Sequence, residues 1–319
     1  MAQLFIGPTR LGDAILVSGV LAWMRDDAPD SPITIACGPQ AALAFSGWQG
    51  VEAMHVVHKR PHHRHWLDLW QKTRNRRWRR IVDLRRSALP WLLRADARYR
   101  IPPGLPGEHR VIQAARTLGL PPQMPRIDLA AAERAHARRD LPDGVPALAI
   151  GPGASQIFKT WPVERFAAVA DRLLSMGGPL AGGRLVLLGS DAERRDAAAL
   201  FKLVPADRLV DGFGLDIPAS AALLERSALF IGNDSAMMHL AVAAGTRTVG
   251  LFGPTRDDHY GPWGPKGLVV RTPESEEALQ ARLAAEGGGG SLMASLTVEA
   301  VCDAVLRRWP DLSAGAHLA

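Results

Sequence analysis

Short apolar runs alternate with amphipathic stretches along most of the chain. QLFIG (3–7), ITIAC (33–37), VEAMHVV (51–57) and RIVDL (80–84) have the length and apolar continuity of buried strands. GDAILVSGVLAWMRDD (12–27), PQAALAFSG (39–47) and a patch near 63–76 have helical spacing. Such alternation predicts a parallel sheet with helices on both faces. Residues 119–146 break the rhythm: they are rich in Pro and hold no clear strand, as expected on the approach to a linker. The alternation then restarts with strands at ALAIGPG (147–153), RLVLLG (184–189), RLVDG (208–212), ALFIG (228–232) and TVGLFG (248–253). Helices are predicted between them at 163–176, 191–204 and 217–227, in the small-residue stretch HLAVAAG (239–245), and in the tail LTVEAVCDAVLRRW (296–309), which follows the flexible EGGGGS (286–291). Two doubly wound α/β units facing a cleft are therefore expected: an N-terminal domain over 1–144, a C-terminal domain over 145–295, and a final helix over 296–319.

Length and composition agree with this. A chain of 319 residues with 47% apolar content can build two cores. No window approaches the roughly 20 apolar residues of a membrane span. The start lacks a basic n-region and Asp13 interrupts its apolar run, so no signal peptide is expected. With only Cys37 and Cys302 there is neither a disulfide framework nor a zinc spacing, which fits a reducing cytoplasm. The net charge of +6 is uneven: residues 1–144 hold 22 Lys/Arg against 13 Asp/Glu, and residues 145–319 hold 16 against 19. A basic first half suggests an anionic partner there. The plainer alternative is a solvated face in an Arg-rich sequence.

Three places where a strand hands over to a helix carry candidate chemistry, and ligands collect at such turns in open parallel sheets. In GPTRLGDAIL (7–16), Gly7 and Gly12 permit a tight backbone and Asp13 opens a helix, although an acid there also simply complements the helix dipole. The spacing is not the dinucleotide fingerprint: G-x-G-x-x-G is absent and Cys37 stands where an acid should end the second strand, which disfavours a nicotinamide oxidoreductase. In GPGASQIFKTWPVERF (151–166), a Gly-Pro-Gly-Ala-Ser turn precedes Lys159 and a Trp-Pro helix start, an arrangement suited to a phosphate. In NDSAMMHLAVAAG (233–245), Asp234 or Ser235 caps a helix, and His239 follows about one and a half turns after Asp234. Each has an ordinary structural reading by itself.

Together and in this order, the three segments resemble glycosyltransferase family 9, the ADP-heptose:lipopolysaccharide heptosyltransferases. RLGDAILVSGVL is similar to that family's N-terminal Gly-Asp motif, PGASQIFKTWPVERFAAVADRL to its phosphate loop and following helix, and NDSAMMHLAVAAGTRTVGLFGPT to its C-terminal signature. The chain departs from the signature at Ala236-Met237, where Gly-Pro is usual. The resemblance implies a GT-B fold with an N-terminal acceptor domain, a C-terminal nucleotide-sugar domain and a tail helix crossing back to the first. It implies inverting heptose transfer from ADP-heptose to lipopolysaccharide inner core with neither metal nor cofactor. Asp13 then matches the general base and Lys159 the lysine on the donor diphosphate. Ser155 matches the phosphate-loop hydroxyl, Asp234, Ser235 and His239 the donor motif, and Glu193 a ribose-binding acid.

The densest basic run, HKRPHHRHWLDLWQKTRNRRWRR (58–80), would flank the acceptor side, with Arg64, Arg76 and Arg77 pairing with its carboxylates or phosphates. Docking on the anionic inner face of the inner membrane is the alternative use. The histidines at 55, 58, 62, 63 and 65 have neither a second cluster nor a carboxylate partner to make a metal site. No recognition motif accompanies the arginines to indicate nucleic acid. Trp66, Trp70 and Trp78 are core, sugar-stacking or membrane-facing residues. Rival functions are a GT-B transferase using another nucleotide sugar or acceptor, and a sugar-binding relative without turnover.

Overall fold

The computed structural model describes residues 1–312 and divides into two compact units, Met1–Asp128 and Leu129–Ala319. In the first run β1 (Gln3–Ile6), α1 (Leu11–Leu16), α2 (Ser18–Asp27), β2 (Ile33–Cys37), α3 (Pro39–Ala42), β3 (Val51–Val56), α4 (Arg64–Thr73), β4 (Trp78–Asp83), α5 (Leu89–Leu92), β5 (Ala95–Arg100) and α6 (Arg110–Arg116). Its five strands are all parallel, in the order β3-β2-β1-β4-β5. The chain winds outward from β1 through β2 to β3, then returns to the other side of β1 with β4. The order therefore reverses between β1 and β4, and the loops leaving these two strands border that crevice.

The second unit holds α7 (Ala131–Asp140), β6 (Ala147–Gly151), α8 (Val163–Leu174), β7 (Arg184–Gly189), β8 (Leu209–Phe213), α9 (Ile217–Glu225), β9 (Leu229–Asn233), α10 (Ala236–Ala243), β10 (Thr248–Phe252), α11 (Asp257–Tyr260), β11 (Gly267–Arg271), α12 (Glu276–Glu286) and α13 (Val298–Arg308). Its parallel strands run β11-β10-β9-β6-β7-β8, so the reversal falls between β6 and β9. β6, β9 and β10 are buried at every position, and their sequences, ALAIG, LFIGN and TVGLF, are accordingly near-continuous apolar runs rather than alternating.

Three expectations about organisation are corrected. The boundary between compact units falls after Asp128, not Gly144, because α7 is a helix packed on α9 and Arg134 pairs with Glu225. The tail helix α13 belongs to the second unit: Val301, Cys302, Val305, Trp309 and Leu312 share one buried cluster with Trp161, Phe166 and Val169, and α13 packs on α8 and β11. Residues 313–319 of the expected tail segment lie outside the described residues. Finally, no regular helix forms over 191–204. Its backbone closes turns to the third preceding residue, as in Glu193 to Ser190 and Leu200 to Ala197, giving bends and a short 3₁₀ turn over Ala198–Lys202.

Candidate active site

In the second unit the candidate residues gather at the reversal between β6 and β9. Asn233, the last residue of β9, is fully buried. Its side-chain amide donates to Pro152 O (2.6 Å) and its Oδ1 accepts from Trp161 N (3.0 Å). One residue thus clamps both ends of the 152–161 loop that carries Ser155 and Lys159. Trp161, buried against Phe166, donates from Nε1 to Leu296 O (2.9 Å), and Ser291 Oγ donates to Thr160 O (2.6 Å), so the loop is also tied to the segment before α13.

The clamp brings Lys159 Nζ to 2.8 Å from Asp234 Oδ2, with the two side chains 20% and 8% exposed. A cation and a carboxylate this far from water hold each other in place more firmly than a surface pair would. Asp234 leads into α10, with Ser235 as N-cap in extended backbone and Ala236 and Met237 in the first helical turn. The departure from Gly-Pro is therefore accommodated in ordinary helical geometry. Ser235 Oγ is buried with no hydrogen-bond partner among the described residues, although it occupies the capping position. Ser235 follows the Asp234 that Lys159 reaches, and the first amides of a helix have no acceptor within it, an arrangement suited to oxyanions. His239, one turn after Ser235, is buried. Ser155 is exposed on the loop.

Glu193 lies at the adjoining edge. Its Oε2 accepts from Ser190 N (2.8 Å) and Ser190 Oγ (2.8 Å), and its carboxylate lies where a side chain at Gly153 would be. A residue with a Cβ at 153 would displace it, which gives this glycine of the 151–155 turn a steric reason.

Asp13 sits in the first turn of α1, partly exposed, on the loop that leaves β1 at the reversal of the first sheet. The basic trio is split. Arg64 starts α4, at the end of the loop that leaves the carboxyl end of β3, and is exposed. Arg76 and Arg77 precede β4 at the opposite, amino edge of the sheet. There Arg76 makes a two-pronged pair with Glu52 and lies over the Trp78 ring, and Arg77 pairs with Asp96 through both Nε (2.8 Å) and Nη2 (2.6 Å). The run 58–80 crosses the whole unit, so nearness in sequence is not nearness in space. Reversing Arg76 and Arg77 to Glu is expected to leave the KM of an anionic acceptor within about twofold, while each reversal costs somewhat more than the ~0.2–1 kcal/mol of the lost surface pair because it also sets a carboxylate against Glu52 or Asp96. Arg64→Glu should raise that KM. Steady-state kinetics on the three variants measures the difference.

Trp78 is core, Trp66 and Trp70 pack against the same cluster, and Trp70 also donates to Leu92 O (3.2 Å). No cluster of three or more His, Cys, Asp or Glu suited to a metal occurs among the described residues. Burial pushes the Cys37 thiol up to about 12, so it is an inert core residue.

Sequence reasoning missed Asn233 as a site residue, although it opens the NDS segment. Its signal was a polar side chain ending an apolar strand. Asn233→Ala leaves the Trp161 amide and Pro152 carbonyl buried without partners, each worth about 1–3 kcal/mol. A fall of several degrees in Tm is expected, read by thermal unfolding.

The model of the glycosyltransferase family 9 (heptosyltransferase) family matches residues 85–287. Among curated proteins, the chain is 34% identical over 118 residues to lipopolysaccharide heptosyltransferase 3 of Escherichia coli, covering 36% of this chain and 33% of that protein. It is 24% identical over 159 residues to lipooligosaccharide heptosyltransferase 2 of Haemophilus influenzae, covering 48% and 44%. The matched part thus spans a third to under half of these relatives' length. Among solved structures, it is similar to a family 9 glycosyl transferase from Veillonella parvula (TM-score 0.75, 22% identity, 97% of both chains). It also resembles E. coli ADP-heptose lps heptosyltransferase II (TM-score 0.72, 18% identity, 100% of both chains). An E. coli heptosyltransferase solved with ADP matches with TM-score 0.68 and 18% identity over 97% of this chain and 100% of that one. At these identities the shared feature is the fold, of the GT-B class.

Proposed function

Because the chain belongs to glycosyltransferase family 9, we propose that it transfers heptose from ADP-heptose to an anionic lipopolysaccharide inner-core acceptor, with inversion and without a metal. The observation that carries this reading is the convergence of Lys159, Asp234 and the unpartnered Ser235 hydroxyl on the β6/β9 reversal, at the start of α10.

In the proposal, the second unit holds the donor. The diphosphate lies against the α10 amides and Ser235 Oγ, and the Lys159 ammonium swings from Asp234 to the phosphates. Negative charge grows on the leaving ADP as the glycosidic bond breaks, so a cation and fixed amide dipoles favour the transition state over the ground state. Asp234, freed from Lys159, accepts from sugar hydroxyls, since two anions repel and it does not approach phosphate. His239 supports the same sugar, Ser155 reaches the phosphate from the loop, and Glu193 accepts from the ribose. The first unit holds the acceptor, where Asp13 takes the proton of the attacking hydroxyl. Arg64 draws the acceptor's anionic groups. The proposal includes a cytoplasmic site of action, with peripheral contact at the inner face of the inner membrane. Among the described residues no helix is long and apolar enough to cross a membrane.

The test is a donor screen. Purified protein, a deacylated inner-core oligosaccharide and a panel of nucleotide sugars are incubated with and without EDTA. The acceptor should gain the mass of one heptose from ADP-heptose alone, undiminished by EDTA, with the anomeric centre inverted by NMR. Preference for another nucleotide sugar would favour the rival GT-B transferase reading.

A further inference from the structure

The first unit contains a charged group that its own structure leaves unsatisfied. Arg85 lies two residues past the end of β4, on the loop that borders the reversal between β1 and β4. Its Nη1 is buried and has no hydrogen-bond partner among the described residues. The guanidinium lies 4.8 Å from the centre of the Trp66 ring. The carboxylate of the neighbouring Asp83 is committed to backbone amides and a hydroxyl: Oδ1 accepts from Arg85 N (2.8 Å), and Oδ2 accepts from Ser87 N (2.6 Å) and Ser87 Oγ (2.9 Å). Burial pushes the guanidinium below its usual value, opposed by Asp83 and Cys37. Arg85 as a whole is only partly buried, so a ligand can reach it, and a partly desolvated cation without an ion-pair partner is costly.

The position gives it a use. Ile6 of β1 lies beside Asp83 of β4, and Leu84 N donates to Ile6 O (2.9 Å). The loop carrying Arg85 therefore starts alongside the Gly7–Arg10 loop that leads to Asp13. A flat guanidinium backed by an indole ring presents its N–H edge in a fixed orientation, which suits two-pronged recognition of a planar or tetrahedral oxyanion.

We infer that Arg85, backed by Trp66, binds an oxyanion of the acceptor sugar, a carboxylate or a phosphate, and so fixes the acceptor beside Asp13; this rests on the acceptor reading proposed above. The bound anion supplies the partner that Nη1 lacks. Arg85 is distinct from the exposed Arg64: the latter attracts at a distance, whereas the former contacts one group.

The test compares the parent protein with Arg85→Met, which keeps length and packing on Trp66 without charge, and with Arg85→Lys, which keeps charge without the fork. Deacylated inner-core oligosaccharide is titrated calorimetrically in the absence of donor, with and without prior phosphatase treatment, and Tm is recorded without acceptor. For Arg85→Met, acceptor affinity should fall about 10- to 100-fold, the range for a charge-assisted hydrogen bond. Donor KM should stay within twofold and Tm should equal or exceed the parent's, because an unpaired, partly buried charge has been removed. Arg85→Lys should lie between the two. An effect that disappears on dephosphorylated acceptor assigns the phosphate; one that persists assigns the carboxylate. Equal acceptor affinity in parent and Arg85→Met, with a lower Tm in the variant, overturns the inference and makes Arg85 a packing residue. A parent that binds no acceptor at all instead overturns the acceptor reading, and the inference with it.

Discussion

Asp13→Asn is expected to lower the rate of heptose transfer by at least ~10²-fold while leaving ADP-heptose affinity within about twofold, the pattern of a lost general base. Asp13 opens α1 on a loop of the first unit, whereas the residues proposed to hold the donor lie on β6 and β9 loops of the second. Asn preserves shape and hydrogen bonding but cannot take a proton from the attacking hydroxyl. Calorimetry with ADP-heptose and a turnover assay on the same preparation separate the two quantities. Turnover equal to the parent's would reduce Asp13 to a helix-terminal acid that complements the dipole.

Lys159→Ala carries the second large effect. Binding of ADP and ADP-heptose should weaken by about tenfold or more, and transfer should slow further than binding alone accounts for, since the lysine matters most when charge develops on the leaving diphosphate. The variant also leaves the Asp234 carboxylate, 8% exposed, without its 2.8 Å partner. Breaking a buried pair from one side costs about 3–5 kcal/mol; the partial exposure of Lys159 brings the expectation here to about 1–3 kcal/mol. Thermal unfolding with and without ADP distinguishes this loss from the binding defect. A variant with parental Tm, affinity and rate would assign Lys159 to an exposed loop.

The strands that build both reversals were legible because burial on two faces forces continuous apolar runs: β1, β2, β4, β6, β7, β9 and β10 all follow from pattern alone. β5 was not, because ADARYR is an edge strand paired with β4 on one side, and its exposed Asp96, Arg98 and Arg100 break up any apolar run. Over 191–204, helical spacing was present, but Glu193 turns back to bond Ser190 N and Oγ and the backbone tightens into turns. At the candidate site, the three segments stood out as strand-to-helix turns, and the roles proposed for their residues came from the family resemblance. Their coupling was not legible: that Asn233 clamps the lysine loop, and that Lys159 meets Asp234, are contacts across 72 and 75 residues. The arginine run misled for a related reason. Arg76 and Arg77 are 12 and 13 positions from Arg64, but α4 carries the chain from the carboxyl edge of the sheet back to its amino edge. Arg85, isolated from that run, gave no signal in composition because its peculiarity is a missing partner.

The central claim is tested most directly by ADP release from ADP-heptose, measured on purified protein with and without deacylated inner-core acceptor. The account predicts ADP release that depends on acceptor, with one ADP formed for each heptose gained by the acceptor. No ADP release in the presence of acceptor, or the same slow release whether or not acceptor is present, would contradict it.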